Sequence, residues 1–342
     1  MLHRSQSQYA AAAAFIALSL AVAGCGTDED TVSERTSTST SEIQTLIPEH
    51  VVETPTSAPE VATTPQAPVD VTYEQSETAF LEGRYDEAVD LFTVYTQRRE
   101  SNPWGHYMLG MSAWKSGRLE TAETAFKRAI ELDSTLVKAH LNLGRVLIEA
   151  SRPSEALSII DRVIAVEGET SVAHRLKGNA YHTLGQKQDA LASYRRAIQI
   201  DPEDAWSMNN LAFILIEDGR YDEALPALAR ATELRKDVAV FFNNLGMALE
   251  CTGHFRAAED AYTLASSLDG VSAKSVANRD RVAIVVEQPG MPAVDLAALA
   301  RAFESEIAGS QGASVATAEI EAAPAVPSTS ETDTTSSAQQ PR

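Results

Sequence analysis

From about Asp70 to Leu268 the apolar residues recur at spacings of three and four, in short blocks separated by polar turns. That spacing puts each block's apolar side chains along one face of a helix. The blocks are copies of one another. A turn glycine stands at Gly83, Gly117, Gly185, Gly219 and Gly253, each a multiple of 34 residues from the next, with one step broken at Ser151. A second column is unbroken: Ala88, Ala122, Ala156, Ala190, Ala224 and Ala258. A third small column, Ser76, Gly110, Gly144, Gly178, Ala212 and Gly246, lies on the helix before each turn. A bulky one, Phe92, Phe126, Ile160, Tyr194, Leu228 and Tyr262, lies on the helix after it. Helices that cross at about 8–10 Å need small side chains where they touch and large ones around the crossing. A last column, Ala129, Ala197, Ala231 and Ala265, broken by Tyr95 and Val163, suits contact with the next copy. The pattern predicts an all-α chain of paired helices, starting near 70–81 and 86–99 and ending near 239–251 and 256–267.

The clearest copy is Phe241 to Ala265, with Leu245-Gly246, Gly253-x-Phe255, Ala258, Tyr262 and Ala265 in fixed places. It resembles a tetratricopeptide (TPR) repeat, a helix, a tight turn and a second helix of about 34 residues. The resemblance implies a right-handed α-α superhelix of about six repeats, framed as 69–102, 103–136, 137–170, 171–204, 205–238 and 239–272. The first is the most degenerate, with Gln75 where later copies mostly carry Leu. In that family the first helices line a concave groove that holds a peptide or a partner helix, and the domain is a non-catalytic scaffold.

The flanks add an address. Residues 1–24 carry one cation, Arg4, and an apolar run from Tyr9 to Ala23. The run is short for a membrane span and has the shape of a secretory signal. It ends Val22-Ala23-Gly24-Cys25, which resembles the bacterial lipobox, where the cysteine takes acyl chains such as palmitate and becomes the first mature residue. The alternatives are an ordinary signal peptide or an N-terminal anchor helix. Gly26 after the cysteine is, by resemblance to enterobacterial sorting, a mark of the outer rather than the inner membrane. Residues 25–68, the lipidated cysteine and a Thr-, Ser-, Pro- and Glu-rich linker, have too little apolar surface to offset the entropy of ordering. The chain then resembles the bacterial TPR lipoproteins that assemble pili or secretins, pilotin-like ones among them, or that tether cell-wall enzymes. Such a protein faces the periplasm from the cell envelope. A net charge of −20 and a pI near 4.7 exclude nucleic acid as the main partner.

Beyond the repeats, 273–287 keeps a helical pattern without the repeat columns and reads as a cap, with Val276, Val282 and Val286 over the last apolar face. Residues 288–292, QPGMP, break the chain. Residues 293–308 form a short amphipathic helix on Leu296, Leu299, Phe303 and Ile307. It docks back on the repeats, binds a partner or is marginally ordered. Residues 309–342 read as a disordered tail.

Candidate chemistry is sparse. His106, His140 and His174 share a column, but neighbouring repeats set equivalent positions too far apart for one zinc ion, whose nitrogens sit about 2.0–2.1 Å away. They read as packing histidines. Cys251, with His254 beyond the turn, lacks an oriented base and an oxyanion site. No cofactor and no metal is implied, and no catalytic motif. Asn142, Asn210 and Asn244 share a first-helix column, with Asn209 and Asn243 beside two of them. Asparagine costs roughly 0.5 kcal/mol against Ala inside a helix, so an exposed recurrence suggests an amide ladder reading a peptide backbone, or else a habit of the family without a ligand. Arg145, Arg175 and Lys138 are expected to face the same groove. Arg175, Asn179 and Asn210 resemble part of a carboxylate clamp, whose further basic positions hold Val240 and Asn244. Trp206, Phe213 and Met247 offer apolar contacts.

Overall fold

The computed structural model describes residues 71–268, 273–288 and 290–321, with side chains through 310. The signal, Cys25, the linker to 70 and the tail beyond 321 lie outside the described residues. These fall into two compact units that divide between Ala150 and Ser151. Unit 1 holds α1 (Tyr73–Leu81), α2 (Tyr85–Arg98), α3 (Pro103–Lys115), α4 (Leu119–Leu132) and α5 (Val137–Glu149). Unit 2 holds α6 (Pro153–Glu167), α7 (Ser171–Thr183), α8 (Lys187–Ile200), α9 (Ala205–Glu217), α10 (Tyr221–Leu234), α11 (Ala239–Cys251), α12 (Phe255–Leu268), α13 (Ala273–Val282) and α14 (Leu296–Glu321). Among the described residues there is no strand, as the all-α reading expects.

The turns show why the glycines recur. Gly117 has φ 80°, and its N–H donates to Trp114 O at 3.1 Å while Arg118 N–H donates to Ala113 O at 2.8 Å. That is a Schellman closure, which returns two orphan carbonyls of the first helix and requires the left-handed region. Gly83, Gly185, Gly219 and Gly253 repeat it. Ser151 adopts φ 60° in the same place, the only non-glycine residue at positive φ among those described. Pro153 opens α6 at its first turn, where the missing N–H is harmless, and α8 stops at Ile200 ahead of Pro202. Pro226 stands inside α10, as its sixth residue.

Every residue of the alanine column is fully buried, and the bulky column is no more than 2% exposed. A Cβ added at Gly110, Gly178 or Gly246 would lie 2.7, 2.4 or 2.7 Å from the ring of Phe126, Tyr194 or Tyr262. At these three positions the small residue is therefore set by contact with the ring sixteen residues on.

The two C-terminal helices depart from expectation. α13 packs on α12 and buries Val282, but it ends there, and Val286 is 88% exposed. Four β-branched residues within Val282–Val286, with a proline ahead, oppose helical continuation, so Val286 covers nothing. α14 docks on α10, with a smaller contact to α8, through buried Ala300 and Ile307 and partly buried Leu296, Leu299 and Phe303. It also runs to Glu321, past the expected end at 308, through a stretch whose Gly309 and Gly312 do not favour a helix, and no contact among the described residues explains the extension.

Candidate functional site

The first helices of unit 1 present aromatic and cationic side chains. On α3, Trp104, Tyr107, Met111 and Trp114 form one stripe at helical spacing, and Trp104 is 45% exposed. The Trp104 and Tyr107 rings meet edge-on at 5.6 Å. The stripe is joined to α5 from both ends. Asn142 Nδ2 donates to Tyr107 Oη at 3.1 Å, and Trp114 Nε1 donates to both carboxylate oxygens of Glu149 at 2.9 Å. The Arg145 guanidinium lies 4.9 Å and the Lys115 ammonium 4.4 Å from the Trp114 ring, within cation–π range. Burial pushes the Glu149 carboxyl up, against the Trp114 N–H and the two cations; burial and then Arg145 push Lys115 down. Lys138 is exposed on the same helix as Arg145, two turns earlier.

The first helices of unit 2 are joined by amides. Asn244 Nδ2 donates to Asn209 Oδ1 at 2.9 Å, and Asn209 Nδ2 to Asn210 Oδ1 at 3.3 Å. Asn210 Nδ2 donates to Asn179 Oδ1 at 3.1 Å, and Tyr194 Oη reaches the same oxygen at 2.7 Å. Asn243 Oδ1 accepts from Asn278 Nδ2 at 3.2 Å and from Ser275 Oγ at 3.4 Å, which ties the cap helix to α11. One run of hydrogen bonds thus links α7, α9 and α11, and a second links α11 and α13.

This corrects the expectation of exposed asparagines. Asn142, Asn209, Asn243 and Asn244 are all buried, at 9, 5, 8 and 6% exposure; Asn210 and Asn179 are half-buried. Arg175 is also occupied. It pairs with Asp204, whose side chain is 2% exposed and accepts further from Ser171 Oγ at 2.5 Å and Ser207 Oγ at 2.7 Å. Burial alone would raise the Asp204 pKa, but Arg175 and the two serines outweigh it and hold it below the usual carboxylate range. Asp204 also caps α9 through Ser207 N–H. The guanidinium expected in a carboxylate clamp is thus neutralised from within. Phe213 and Met247 are half-buried on their helices, Phe213 meeting the His182 ring edge-on at 5.9 Å. His182 Nε2 in turn lies 3.0 Å from Glu217.

The histidine column holds loops. His106 Nε2 lies 3.0 Å from Glu100 O and His140 Nε2 3.0 Å from Ser134 O, each six residues back in the preceding loop. At His174 the equivalent carbonyl belongs to Gly168, which has φ 87°, and Nε2 sits instead 3.3 Å from Glu169. Burial lowers the pKa of His106 and of His174. No group of three or more His, Cys, Asp or Glu among the described residues is placed to hold a metal, and no described helix is long and apolar enough to cross a membrane.

Three family models match, described as tetratricopeptide repeat or TPR repeat, over residues 113–180, 178–219 and 203–269. No curated protein matches. Among solved structures, a tetratricopeptide-repeat protein from Parabacteroides merdae is similar at TM-score 0.54 and 13% identity, over 61% of this chain and 82% of that one. PilW, a widely conserved type IV pilus biogenesis factor, is similar at TM-score 0.53 and 16% identity, over 61% of this chain and 96% of that one. A protein of Thermus thermophilus gives TM-score 0.48 and 18% identity, over 54% of this chain and the whole of its own. At these identities the likeness is one of fold. With the turn glycines, the alanine column and the helix pairs in register, the chain is a tetratricopeptide-repeat protein.

Proposed function

We propose that the protein is a non-catalytic interaction scaffold, held by lipid on Cys25 at the bacterial cell envelope and facing the periplasm. The surface that takes a partner is the first-helix face of unit 1. The observation that supports this is the α3 stripe from Trp104 to Trp114, with Trp104 45% exposed, Lys115 and Arg145 on the Trp114 ring, and Lys138 exposed on α5. Aromatic and arginine side chains contribute most to interfaces, whereas in unit 2 the corresponding polar groups bond to one another. The ligand class is an extended segment or helix with apolar and acidic residues. The outer membrane is favoured over the inner, on Gly26 after the lipobox cysteine.

Two measurements test the proposal. Intact mass of the mature protein should show acyl addition at Cys25, and Cys25→Ser should move the protein to the soluble fraction. No acyl addition, or Cys25 found in a disulfide, contradicts the anchor. A partner captured from envelope extract and identified by peptide mapping should bind Trp104→Ala about tenfold or more weakly by calorimetry, on the order of 1.4 kcal/mol. Unchanged affinity contradicts the surface. The identity of that partner decides between pilus or secretin assembly and the tethering of a cell-wall enzyme.

A further inference from the structure

Residues 42–53 stand out within the linker. They read EIQTLIPEHVVE, with Ile43, Leu46, Ile47, Val51 and Val52 set between Glu42, Glu49 and Glu53, inside a stretch otherwise rich in Ser, Thr, Pro and acids, with scattered Ala and Val. A spacer gains nothing from a cluster of branched apolar residues, which lose solubility in water.

The described surface with matching chemistry is the face of α3 and α5. In a chain of net charge −20, the faces of α3 and α5 gather Lys115, Lys138 and Arg145 against the single carboxylate of Glu149, around an aromatic stripe with exposed Trp104. We propose that residues 42–53 dock on this face within the same molecule, so that the chain's own linker occupies the partner surface until a competing ligand displaces it. The inference rests on the reading of that face as the partner surface.

Length permits it. About twenty residues separate Val52 from the start of α1, and a flexible chain of that length spans roughly 25 Å. That covers about two to three helix-packing distances, enough to reach α3 and α5 from α1. Tethering of this kind gives an effective concentration on the order of millimolar. A segment of only millimolar affinity is then about half bound, and a partner of ordinary affinity displaces it. The acids of the segment and the cations of the face also make the contact weaken as salt rises.

The test is photo-crosslinking in the full mature chain. Ile47 is replaced by p-benzoylphenylalanine, with Thr63 so replaced as the control. Irradiation should give cross-links within one molecule that map to 104–115 or 138–145. The yield should be about fivefold above the Thr63 control and should fall roughly two- to fivefold with Lys138→Glu, the effect of about 0.5–1 kcal/mol from a surface charge. Cross-links spread over both units, formed only between molecules, or equal from both positions overturn the proposal. If that occurs while Trp104→Ala still weakens the captured partner, the docked linker is wrong and the partner surface stands.

Discussion

The first-helix faces of the two units are built on the same repeat columns and solve the same problem differently. In unit 1 a tryptophan and a tyrosine of α3 meet an arginine, a glutamate and an asparagine of α5, and Trp104 at the end of the stripe stays open to solvent. In unit 2 asparagine amides pass from helix to helix, and most of the amide residues are buried. A polar residue recurring in a repeat column is therefore not by itself evidence of a ligand. Where its neighbour in the next repeat is also an amide, the two satisfy each other. Where the neighbour is aromatic, polar atoms are satisfied at the edge of the ring and apolar surface remains for a partner.

The sharpest way to break the comparison is at Asp204. Asp204→Ala should remove the cap of α9 and leave Arg175 without its counter-charge, costing on the order of 3 kcal/mol in urea unfolding, near the low end for a broken buried pair because Arg175 is partly exposed. The same group has a pH signature. Its folded pKa lies below its unfolded value, so its contribution is complete above about pH 4–5 and is lost as pH falls through the folded pKa. The melting temperature should drop with acid in the wild type, and less steeply in Asp204→Ala. Equal acid sensitivity would remove Asp204 from the account.

A smaller effect is expected on unit 1. Trp104→Ala should leave stability within about 0.5 kcal/mol, as an exposed substitution outside the core does, while weakening the partner. A drop in melting temperature as large as that of Asp204→Ala would mean that Trp104 is part of the scaffold and not a contact.

Much of the fold was legible because a repeat column is a packing rule. Ala190 must be small whatever its neighbours, and Gly178 faces the Tyr194 ring within its own repeat. What was not legible depends on the next repeat or on a distant segment. Asn244 reads the same in sequence whether it points to water or to Asn209, 35 residues away. The seat of α14 left no mark: Leu191 and Leu225 are buried in the cluster that α14 joins, but their column also holds Val89 and Leu157, so the sequence does not single them out. The bond of His106 and His140 to a carbonyl six residues back follows from the loop path, which spacing does not reveal.

The most direct test of the amide account is a double-mutant cycle on Asn209 and Asn244, followed by urea unfolding. Each change to Ala alone strands a buried partner and should cost about 1–3 kcal/mol. If the 2.9 Å bond between them carries stability, the double mutant should be more stable than the sum of the two losses by at least about 0.5 kcal/mol, since neither amide is then left unpaired against the other. Losses that add within error, or single mutants as stable as the wild type, would contradict it and return the asparagines to the partner surface.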